Sequence, residues 1–131
     1  MSGLYVDSTA LLKRLFLDEE SSRVRALLAD RTDQAILVAS SELAWVEIAR
    51  AVRRAGVPDA ERAVSDACSG IARHRLDSRV LERARHIGPA SLRSLDAIHP
   101  AAAAMLGATE ILTFDLRLAA AAESVGMKAV R

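Results

Sequence analysis

Leu4-Tyr5-Val6-Asp7-Ser8-Thr9-Ala10-Leu11-Leu12 (residues 4–12) is the stretch on which the fold turns. Three apolar residues run without alternation, which predicts a short strand covered on both faces, as in a parallel sheet. A carboxylate and two hydroxyls follow, the chemistry of a helix start, with Ser8-Thr9 the expected cap and a helix over Ser8–Leu17. The same grammar recurs at Ile111-Leu112-Thr113-Phe114-Asp115 (residues 111–115), again with an apolar run, an acid and then a helix over Leu116–Val125.

Elsewhere in the chain, Ala35–Ala39 reads as another buried strand, Met127–Val130 as an edge strand, and Arg75–Asp77 as a very short one. Helices are expected over Ser21–Asp30, Glu42–Ala55, Asp59–Arg73, Ser78–Ile87 and Ser94–Leu106, punctuated by Gly56, Gly88-Pro89, Gly107 and Gly126. Strands alternating with helices predict an α/β protein. The expectation is a three-layer α/β/α domain over residues 1–131 with a mostly parallel sheet of four to five strands. In such sheets ligands sit beyond the carboxyl ends of the strands, where the strand order reverses.

Composition narrows the class without naming it. With 131 residues, 51% hydrophobic and 27% charged, the chain fits one ordered domain with its own core. Its single cysteine, Cys68, excludes an internal disulfide and a cysteine-based zinc site, which suits a reducing cytoplasm. No apolar run reaches the ~18 residues of a membrane span, and residues 1–16 lack the basic-then-apolar order of a signal peptide. At a net charge of +1, phosphate contacts have to come from local arginines, and four aromatics are too few for a base-stacking platform.

The acids stand where ligands are expected. Asp7 and Asp115 directly follow the two decisive strands. Asp96 lies in the first turn of the helix before Ile111, and Glu47 borders the apolar stripe of its helix. Each has an ordinary alternative: Asp7 and Asp115 as helix caps, Asp96 as a first-turn acid, Glu47 paired with Arg50. Gathered in one cleft, like charges ~4 Å apart repel by several kcal/mol at an effective dielectric of ~20, which a hard cation relieves. An all-oxygen set suits Mg²⁺, with Mn²⁺ able to substitute, and such an ion activates water against a phosphodiester.

Among neighbouring residues, Glu42 reads as a helix N-terminal charge and Ser8 and Thr113 as caps or positioners of Asp7. Arg50, Arg53, Arg54 and Arg117 read either as solvated charge or as phosphate contacts, and Arg50, Arg54, Arg117, Ser8 and Thr113 are the substrate-binding candidates. His99 reads as a packed, hydrogen-bonded structural histidine rather than a general base, and His74 and His86 as solvated. Leu11, Leu12, Leu15, Phe16, Val24, Leu27 and Leu28 read as mostly core.

Four segments together resemble the PIN-domain family: YVDSTALLKRL (5–15), SSELAWVEIARAVRR (40–54), SLDAIHPAAA (94–103) and ILTFDLRLAAAAESVG (111–126). The resemblance implies that Asp7, Glu47, Asp96 and Asp115 form an acidic metal-binding and catalytic quartet. The chain is most similar to the small VapC-type toxins. Membership there implies a cytoplasmic, Mg²⁺-dependent endoribonuclease, usually a homodimer, held inactive by a VapB antitoxin. One departure is Pro100, four residues after Asp96, where relatives usually carry an apolar residue; it predicts a local distortion of that helix. Two other classes compete with this one. Strand-end phosphotransfer enzymes want a second Asp at position 9, where Thr9 stands, or a Lys closing a later strand. A PIN-like module that binds RNA or a partner without cutting is the other.

Overall fold

The computed structural model describes residues 3–131. Five parallel strands form one sheet: β1 Gly3–Val6, β2 Leu37–Ser41, β3 Ala72–His74, β4 Glu110–Leu112 and β5 Lys128–Val130. Their order is β3-β2-β1-β4-β5, so the chain builds outward from β1 on one side, then crosses back to β4 on the other. The reversal falls between β1 and β4, which pair as Leu4 to Glu110, Tyr5 to Ile111 and Val6 to Leu112.

Among the described residues, seven α-helices cover the two faces: α1 Ser8–Leu11, α2 Ser21–Asp33, α3 Glu42–Arg54, α4 Ala60–Ala67, α5 Ser78–Ala84, α6 Ser94–Met105 and α7 Leu116–Ser124. Because side chains alternate along a strand, β1 serves both layers. Leu4 and Val6 enter one core with Leu11, Val24, Leu28, Ile48 and Val52 from α1, α2 and α3. Tyr5 enters the other, with Val80, Ile98 and the alanines of α6, which Ile111 and Met127 also join. The expected three-layer α/β/α architecture is the observed one.

Several boundaries differ from expectation, each for a local reason. Strand β2 begins at Leu37 rather than Ala35, because Ala35 takes a left-handed φ of 58° as it closes α2, its N–H donating to the Thr32 carbonyl. The third strand lies at Ala72–His74 rather than Arg75–Asp77, and α4 ends at Ala67, well short of Arg73. Gly70, at φ 76°, reverses the chain between them, a conformation that favours glycine. Helix α1 stops at Leu11 and tightens into a 3₁₀ turn over Leu12–Arg14, and Phe16 beyond it is exposed rather than in the core. Arg31, near the end of α2, holds Glu110 of β4 through two 2.9 Å bonds, one to each carboxylate oxygen.

Pro100 does not break α6, which runs on through it to Met105 with Pro100 itself buried. Lacking an N–H, it leaves the Asp96 carbonyl without its usual helical donor.

Candidate active site

The carboxyl edge of the sheet is a network of hydroxyls and carboxylates. Asp7 is fully buried at the end of β1. Its Oδ1 accepts from the Ala10 N–H at 3.1 Å and from the Thr9 hydroxyl at 2.6 Å, so Asp7, not Ser8 or Thr9, caps α1. Its Oδ2 accepts from the Thr113 hydroxyl, just past β4. Burial pushes the Asp7 carboxyl above its ordinary range; the His99 imidazole and the Thr113, Thr9 and Ala10 donors pull it back.

Thr113 Oγ1 also accepts the Asp115 N–H at 3.0 Å, and Thr9 Oγ1 accepts the Phe114 N–H at 3.0 Å. The turn after β4 is thereby fastened to the start of α1. Asp115 caps α7, accepting from the Arg117 N–H at 2.9 Å. Both strand-end acids therefore do the capping work of the ordinary reading, and they do it at the two strands that flank the reversal point.

Glu47, half-buried on α3, reaches back toward β1. Its Oε1 accepts from the Ser8 hydroxyl at 3.0 Å and lies 2.6 Å from His99 Nε2. The alternative pairing of Glu47 with Arg50 does not form, and Glu42 stands 3.7 Å from Arg73 instead. Asp96 is half-buried in the first turn of α6, three residues before His99 and so on the same side of that helix. Arg50, Arg54 and Arg117 are exposed and form no salt bridge among the described residues. His74 is half-buried and His86 exposed, as their polar contexts suggested for His86 at least.

His99 is packed and hydrogen-bonded, as expected of it, but its partners were not foreseen. It is 2% exposed, with Nδ1 2.7 Å from the Tyr5 hydroxyl and Nε2 against Glu47. Burial raises the Tyr5 phenol far above its ordinary pKa, so it remains a donor. Nothing in the sequence pairs positions 5, 47 and 99, which are brought together only where β1, α3 and α6 meet at the carboxyl edge of the sheet.

Among the described residues, no three His, Cys, Asp or Glu side chains converge into a ready-made ion cage. Asp7, Asp96 and Asp115 nevertheless have no cationic partner there, and the donors at this edge are oxygens. That fits Mg²⁺ in kind, since it is usually held by one or two carboxylates plus waters and substrate phosphate rather than by an all-protein cage.

Fold and edge together define a doubly wound α/β protein with carboxylates and hydroxyls at the carboxyl edge of the sheet, where the strand order reverses. The chain belongs to the PIN domain family, which matches residues 4–124, and within it to the VapC ribonucleases. It is 38% identical over 125 residues to Ribonuclease VapC47 of Mycobacterium tuberculosis, covering 94% of this chain and 92% of that protein. Its fold resembles the crystal structure of Mycobacterium tuberculosis VapC20, a sarcin–ricin-loop-cleaving toxin, with a TM-score of 0.73 at 19% identity over 98% and 99% of the two chains. A toxin–antitoxin complex from Klebsiella pneumoniae matches with a TM-score of 0.67 at 20% identity, over 99% and 97% of the chains.

Proposed function

We propose that this protein is a Mg²⁺-dependent endoribonuclease and the toxin of a toxin–antitoxin pair, hydrolysing RNA phosphodiesters at Asp7, Glu47, Asp96 and Asp115. The observation that carries the reading is the Asp7–Thr113–Asp115 linkage, in which one hydroxyl ties the Asp7 carboxylate to the Asp115 N–H at the two strands that flank the reversal point. The ribonuclease relatives and the toxin–antitoxin neighbours support the activity and the partner.

Asp7, Asp96 and Asp115 are the residues to hold the ion, with Glu47 as a further ligand or the group that orients the attacking water. Bound there, Mg²⁺ would supply positive charge against the phosphoryl group and acidify water. The chain's own work is to keep those acids aimed. Thr9, Thr113 and the Ala10 N–H hold Asp7 in one rotamer, and Ser8 holds Glu47. Exposed Arg50, Arg54 and Arg117 offer bidentate phosphate contacts. A cytoplasmic homodimer under VapB-type antitoxin control is part of the same reading, and exposed Leu17, Leu95 and Leu116 provide apolar surface for such partners.

The test uses purified, partner-free protein on total bacterial RNA with Mg²⁺, mapping new 5′ ends by sequencing. Discrete ends that vanish with EDTA and with Asp96→Asn are expected, and they would also name the RNA. RNA binding by a folded chain without new ends would instead establish a non-cleaving module, with the proline beneath Asp96 as the first position to examine.

A further inference from the structure

Tyr5, His99 and Glu47 form a directional hydrogen-bond chain from the sheet into the site. The Ser41 N–H can only donate, and it donates to the Tyr5 oxygen at 3.2 Å. The phenol proton is then free for His99 Nδ1, 2.7 Å away. With Nδ1 accepting, the ring proton sits on Nε2 and points at Glu47 Oε1, 2.6 Å distant. The opposite tautomer would set a nitrogen lone pair against a carboxylate oxygen at that distance. The rings meet edge-on, 5.7 Å between centroids and 64° between planes, so the imidazole is clasped by the phenol as well as bonded to it.

Glu47 Oε1 thus takes two donors, the Ser8 hydroxyl and His99 Nε2–H, while Oε2 accepts no hydrogen bond among the described residues. We propose that His99 is a positioning residue, oriented by Tyr5, that locks Glu47 by one oxygen so that the other is presented to the cleft. Glu47's part in catalysis rests on the ribonuclease reading above, but its capture by His99 does not. Groups hydrogen-bonded to ligating side chains orient them in metal sites generally, and their loss there costs about 10- to 100-fold in affinity or activity.

Four arms test the proposal. Long-range ¹H–¹⁵N spectra of the metal-free protein should show His99 protonated at Nε2 and bare at Nδ1, and a bare Nε2 would overturn it. Mn²⁺ affinity, read by electron paramagnetic resonance without RNA, should fall roughly 10-fold in His99→Leu. In single-turnover cleavage, His99→Leu should lose about 10- to 100-fold in rate with an RNA affinity within about twofold of the parent. His99→Gln, whose amide can still donate to Oε1, should recover most of the loss. Equal defects in the Leu and Gln variants, or full activity in a folded His99→Leu, would overturn the proposal. Should His99→Leu fail to fold, Tyr5→Phe serves in its place: the expected result is a changed His99 spectrum with slower cleavage, and parental spectrum and rate would count against the chain. If the parent cuts no RNA, the ribonuclease reading fails, and the spectra and Mn²⁺ titration still decide the placement of Glu47.

Discussion

Asp7 and Asp115, which end neighbouring segments of the sheet, are joined through a single hydroxyl: Thr113 Oγ1 donates to Asp7 and accepts from the Asp115 N–H at 3.0 Å. Replacing Thr113 with Val keeps the shape and deletes both roles, leaving a buried carboxylate short of a donor. The expected cost is about 1–3 kcal/mol of stability, with loss of cleavage, while Thr113→Ser keeps both. Thermal melts of the two variants decide it, and a Val variant as stable as the parent would contradict the linkage.

Asp7 should be a residue that function needs and stability does not. A carboxyl whose folded pKa is raised by burial stabilises the fold while protonated, and that contribution is lost as pH climbs from its ordinary 3.8 through the raised value. Asp7→Asn carries no such penalty. In EDTA at pH 7 its melting temperature should exceed the parent's, with the gap narrowing toward pH 4, while cleavage falls by ~100-fold or more. A variant less stable than the parent at pH 7 would count against the reading.

Glu110 should behave in the opposite sense. Its bonds to Arg31 hold its carboxyl below the ordinary 4.5, so its contribution is present above that value and is lost as pH falls through the depressed one. Glu110→Gln should cost about 1–2 kcal/mol at pH 7 and flatten the decline in stability below pH 4.5, which urea titrations across that range would show.

Cys68 is buried beside α4 and its thiol is pushed up to about 11, mainly by burial. At pH 8 only about 10⁻³ of it is thiolate, so alkylation of the native protein should be at least ~100-fold slower than in denaturant. Comparable rates would mean that this segment opens readily.

How much of this was legible from sequence follows from how local each signal is. Strands β1 and β4 announce themselves as apolar runs ending in Asp, because both their faces are covered. Strand β3 does not: Ala72 and Arg73 are exposed and His74 is half-buried, so no apolar pattern marks an edge strand held by its bonds to β2. The left-handed turn at Ala35 was also invisible, since alanine carries no turn preference. Within the site, the acids could be placed by their position at strand ends, whereas the Tyr5–His99–Glu47 chain spans separations of 94 and 52 residues and needs the assembled sheet.

Asp7 and Asp115 each open a helix through a carboxylate oxygen, and asparagine caps helices about as well as aspartate. The architecture therefore does not enforce the charge at either position. One nucleotide change converts an Asp codon to an Asn codon, and under the ribonuclease reading proposed above it would yield a folded protein without activity. Lineages carrying this gene can thus disarm it in a single mutational step, with no misfolded product to clear, and only a benefit from the chemistry itself keeps the carboxylates in place.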